Sequence, residues 1–75
     1  MSDKHIQRLN ELKLKYKSKI AASKVNIENY LDHSVSVAEH PHLIASLDEL
    51  ISELSETEDK LTCLKNNFLS MNKYI

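Results

Sequence analysis

The sequence predicts an all-α protein: an antiparallel two-helix hairpin, a long α-hairpin or coiled coil, that dimerises into a four-helix bundle. Three observations carry that expectation. The second half of the chain repeats large apolar residues at alternating spacings of four and three. The first half has the same period, with small or charged residues at some positions. Between them lies one short stretch of poor helix formers, which holds the single proline of a 75-residue chain that has no glycine.

The first helix is expected from about residue 3 to about residue 34. Ile6, Leu9, Leu12, Tyr16, Ile20, Ile27, Tyr30 and Leu31 share one face at helical spacing. Lys13 and Ser23 interrupt the strict heptad positions, and Ala21 and Ala22 are small. Gaps of this kind let a neighbouring helix come close, or admit a large side chain from it. Ser2 or Asp3 supplies an N-cap, because a short side-chain oxygen can accept a hydrogen bond from the free amides of the first turn.

The turn is expected at about residues 35–40. The alternating Ser and Val residues from Ser34 to Val37 are poor helix continuers. His40 precedes proline and is pushed away from the helical region. Pro41 suits the first position of the next helix, where its missing N–H has no partner to lose.

The second helix is expected from about residue 41 to about residue 73. Leu43, Leu47, Leu50, Leu54, Thr57, Leu61, Leu64, Phe68, Met71 and Ile75 form an unbroken a/d seam with Thr57 as its polar member. Residues 1–75 thus read as a single helical-hairpin domain. Ile44, Ile51, Leu14, Leu31 and Leu69 lie off the central seam. A hairpin alone leaves such flanks wet, and a second copy would cover them.

Composition excludes several function classes. Without glycine the chain has no Gly-rich phosphate loop, dinucleotide fingerprint or nucleophile elbow. One cysteine rules out an internal disulfide and any multi-Cys metal centre, and fits a reducing compartment. The first residues are too polar for a signal peptide, and no apolar run approaches the roughly 20 residues of a membrane span. A soluble, cytoplasmic protein with no membrane contact is the expectation. Abundant Lys, Asn and Ile beside a single Arg is the bias of an AT-rich genome, such as those of many bacteria and phages.

The net charge of −1 hides a strong asymmetry. Residues 1–24 carry net +5, residues 25–59 carry nine acids and no Lys or Arg, and residues 60–75 carry net +3. Folded at the turn, the chain becomes a rod with a basic open end and an acidic turn end. Glu11–Lys15 and Glu56–Lys60 are favourable pairs four apart, whereas Lys13–Lys17, Lys15–Lys19, Glu28–Asp32 and Glu49–Glu53 repel. Two rods packed with their turns at opposite ends would set each acidic end beside a basic one. An antiparallel homodimer is therefore the expected assembly.

Candidate chemistry is sparse. His33, His40 and His42, near Asp32 and Glu39, are weak candidates for a metal site, since imidazole and carboxylate are ligands for zinc and related ions. Their spacing matches no ligand signature, so the expectation is no metal and no cofactor. Cys63 has no neighbouring base in the sequence that would activate a thiol. A two-helix rod offers no evident cleft, and the chain reads as a non-enzyme. Lys4, Arg8, Lys15 and Lys19 recur at spacings of 4, 7 and 4 and form a basic stripe able to contact phosphates. Leu69, Tyr74 and Ile75 suggest an apolar end for docking. The expected function is a small helical interaction protein, an adaptor, inhibitor or accessory subunit that self-associates and binds a protein partner. The alternative is a nucleic-acid-binding regulator that uses the basic stripe.

Overall fold

The computed structural model describes residues 2–33 and 40–69. All regular structure among them is helical. Helix α1 is Asp3–His33 and helix α2 is His40–Leu64, continued by a π-helical turn over Lys65–Leu69. The molecule measures 56 × 16 × 15 Å. A helix as long as α1 spans about 46 Å, so a rod of these dimensions holds the two helices side by side. They run antiparallel, because His5, Arg8 and Leu9 near the start of α1 share a groove with Phe68 near the end of the described chain.

Helix α1 starts as its first residues dictate. Ser2 is the cap: its Oγ accepts the His5 amide at 3.3 Å, and its carbonyl accepts the Ile6 amide at 3.0 Å. Asp3 follows in the first turn, where a negative charge suits the helix dipole. At the other end His33 Nδ1 donates to the Asn29 carbonyl at 2.8 Å, and that bond satisfies an oxygen in the last turn. Helix α2 begins at His40, one residue before the expected start. Pro41 still falls in the first turn, where the backbone ladder needs no amide from it.

The helices meet along two heptad seams. On α1 the inward residues are Ile6, Leu9, Lys13, Tyr16, Ile20, Ser23 and Ile27, with Leu12 beside them; on α2 they are Leu43, Leu47, Leu50, Leu54, Thr57, Leu61 and Leu64. Lys13 and Ser23 thus keep the heptad positions that their chemistry seemed to interrupt. Most seam residues are only half-buried, because one neighbouring helix covers one side of each. Four are covered more fully: Leu64 and Leu69 are 6% exposed, and the small polar Ser23 and Thr57 are 9% and 2%. A short side chain lets the opposite helix close over it. The Thr57 hydroxyl donates to the Glu53 carbonyl one turn earlier at 3.0 Å, so the polar atom is not stranded.

The end of α2 departs from the sequence expectation. Phe68 was placed on the seam and Leu69 off it; the structure reverses them. Leu69 is buried, and Phe68 is 51% exposed. The π turn is the reason. A π turn closes through hydrogen bonds one residue longer than those of an α-helix, so the seam steps from Leu64 to Leu69 instead of to Phe68. Asn67 accompanies the change: its Nδ2 donates to the Cys63 carbonyl at 2.7 Å and lies 3.4 Å from the Cys63 Sγ. Tyr30, also expected in the seam, sits at its edge and is 36% exposed. The seam positions Met71 and Ile75, the end residue Tyr74, the turn residues 34–39 and the side chains of His40 and Pro41 lie outside the described residues.

Candidate functional site

The structure sorts the sequence candidates into two flanks of the rod. In an antiparallel helix pair the e positions of both helices lie along one flank and the g positions along the other. Leu31, Ile44 and Ile51 occupy e positions, and Leu14, a b position on the same side of α1, lies nearer the open end. All are at least half exposed, Leu14 at 64%. They make one discontinuous apolar strip along the first flank. Val25, also exposed, lies further round the outer side of α1.

The opposite flank is mostly polar, with one exception at the open end. There His5, Arg8, Leu9 and Phe68 line a shallow, open groove of about 310 Å³. Its lining is almost wholly apolar, although two of the four residues that form it are polar. The expectation of a rod without a cleft is corrected at this point. No sequence signal marked the groove, because it exists only where the π turn sets Phe68 outward beside α1.

The basic stripe is present as expected. Lys4, Arg8, Lys15 and Lys19 are all exposed along one side of α1, and Arg8 also belongs to the groove. Lys13 and Lys17 do not join it, since Lys13 turns inward and Lys17 lies on the other flank. The acidic turn half is equally exposed, with Glu28, Asp32, Asp48, Glu49 and Glu53 on the surface. Among the described residues a single ion pair closes, Glu56 with Lys60 at 3.4 Å, one turn apart on α2. The favourable pair Glu11 and Lys15 stays apart. No ion pair among the described residues joins α1 to α2, so the charge asymmetry of the rod is left unneutralised by its own fold.

The remaining candidates lie apart. Among the described residues no three His, Cys, Asp or Glu side chains come together as a metal site; Glu39 and the His40 side chain are outside that set. His33 and His42 are exposed, and the His33 Nδ1 is engaged with a backbone carbonyl. Cys63 is an exposed free thiol near the open end, distant from both histidines. No helix among the described residues is long and apolar enough to cross a membrane. No family model, curated protein or solved structure matches the chain.

Proposed function

We propose that this chain is a non-enzymatic, cytoplasmic interaction protein, an adaptor, inhibitor or accessory subunit that pairs with a second copy in an antiparallel four-helix bundle and binds another protein. One observation carries the reading. The hairpin covers its seams only on one side and keeps a strip of half-exposed aliphatic side chains. An isolated rod of this size would hold that surface against water at a cost of about 25 cal/mol for each Å² left uncovered. The charge layout supports the orientation. Acidic and basic halves that find no ion-pair partner across the hairpin are complementary to those of a reversed copy.

Light scattering on a sizing column, at low and at high salt, tests the reading. A dimer at low salt is the expected result, held together by apolar burial and weakened modestly by salt, since exposed pairs contribute under about 1 kcal/mol each. A monomer under both conditions overturns it.

A second reading, nucleic-acid binding through Lys4, Arg8, Lys15 and Lys19, draws on the exposure of the whole stripe and on Phe68 beside Arg8. An aromatic next to a guanidinium is a minimal stacking surface for a base. An electrophoretic shift that weakens steeply with salt is its signature. No shift at low salt removes it.

A further inference from the structure

The self-association proposed above does not say which surface pairs. We infer that the second copy docks on the flank formed by Leu14, Leu31, Ile44 and Ile51, with its turn at the opposite end of the dimer. This inference deepens the dimer reading and rests on it.

Three features of the flank select a second copy as the occupant. The first is the apolar content. Among the described residues, the half-exposed leucines and isoleucines all lie here, and the opposite flank offers Phe68 alone. The second is size. A side of the rod 56 Å long and 16 Å wide can contribute on the order of 800 Å², which is what one partner gives to a standard interface. A peptide or a small domain would leave part of the strip wet, whereas an identical rod matches its length.

The third is charge. Between the apolar residues, this flank carries Lys17, Lys24 and Lys65 from the middle to the open end, with Glu58 among them, and Glu28 and Asp48 towards the turn. All of these are exposed. Reversing a second copy brings its open-end lysines beside Glu28 and Asp48. Setting the copies in the same direction stacks lysine on lysine and acid on acid. The opposite flank, with Arg8, Lys15 and the groove, then remains on the outside of the dimer, one groove at each end.

The geometry also dictates distances between copies. In the reversed arrangement α2 lies against the partner's α2, so Ile44, near the turn, falls beside the partner's Lys65, near the open end. The two Ile44 residues are then about 30 Å apart, from their spacing along the helix. In the same-direction arrangement α2 lies against the partner's α1 instead, and Ile44 falls beside the partner's Leu31. A disulfide needs Cα atoms roughly 4.4–6.8 Å apart, so the two cases separate cleanly.

The experiment uses the full chain with Cys63→Ser to silence the native thiol. Ile44→Cys protein is mixed in turn with Lys65→Cys protein and with Leu31→Cys protein and oxidised mildly. The expected product is the mixed disulfide dimer with Lys65→Cys protein, with little from Leu31→Cys protein. Rapid linkage of Ile44→Cys to Leu31→Cys overturns the orientation. A second variant, Ile44→Lys with Ile51→Lys, is followed by light scattering and by circular dichroism. Helicity is expected to persist at concentrations where the dimer constant has weakened by roughly thirtyfold or more. A variant that keeps its helicity and still dimerises like the parent overturns the chosen flank but leaves the dimer reading standing. A parent chain that is monomeric at every concentration overturns both. Cross-linking reads proximity in the parent-like protein, so it stands even if the lysine variant fails to fold.

Discussion

Thr57→Val is expected to leave the stability of the protein almost unchanged. Thr57 is the most deeply covered side chain described, at 2% exposure, and it occupies a seam position that leucines hold elsewhere on α2. Its hydroxyl is satisfied by the Glu53 carbonyl, but that oxygen already accepts a backbone amide within the helix ladder. Losing the side-chain bond removes a net contribution of about 0.5–1.5 kcal/mol. That net figure already contains the dehydration of the hydroxyl. Against it, a methyl of similar size is buried in place of the hydroxyl, worth about 0.8 kcal/mol. Helix propensity barely changes between the two residues. The two contributions cancel to within about 0.7 kcal/mol, so for a domain of this length the melting midpoint should move by no more than about 5 °C. Thermal melts by circular dichroism should be run at one fixed protomer concentration, because association makes the midpoint concentration-dependent. A midpoint lowered by more than about 10 °C would refute the reasoning and show that the hydroxyl stabilises the seam beyond its local bond.

The π turn makes an unequal pair of predictions at neighbouring residues. Leu69→Ala should cost about 2–5 kcal/mol, as a buried leucine does, whereas Phe68→Ala should cost no more than about 1 kcal/mol. Thermal melts showing the opposite order would place Phe68 back in the seam. Ser2→Ala should lower stability by about 1 kcal/mol through loss of the cap, read in the same melts. Lys60→Ala should change stability by no more than about 0.5 kcal/mol, because the pair with Glu56 is exposed and local; a larger loss in urea titrations would mean that Lys60 contacts more than its own helix.

The heptad spacing, the capping serine and the Ser/Val break before Pro41 are local features. They were enough to place two helices and to align Ile6 through Ile27 against Leu43 through Leu64. The charge blocks are also plain in the order of residues, and so is the identity of the aliphatic side chains left off the seams. Each depends on neighbours within a turn or two, where spacing along the chain maps directly onto angle around the axis.

What the order of residues did not settle was decided by how the helices pack. The exchange of Phe68 for Leu69 follows from one longer hydrogen-bonded turn, which brings Leu69 round to the seam without altering the apolar pattern. The burial of Ser23 and Thr57 comes from the approach of the opposite helix, which a small side chain permits. The Arg8–Phe68 groove joins the two ends of the chain and has no local signature at all. Sequence periodicity fixes which face each helix buries. The distance between the helices, and the one turn where the period slips, determine what that face becomes.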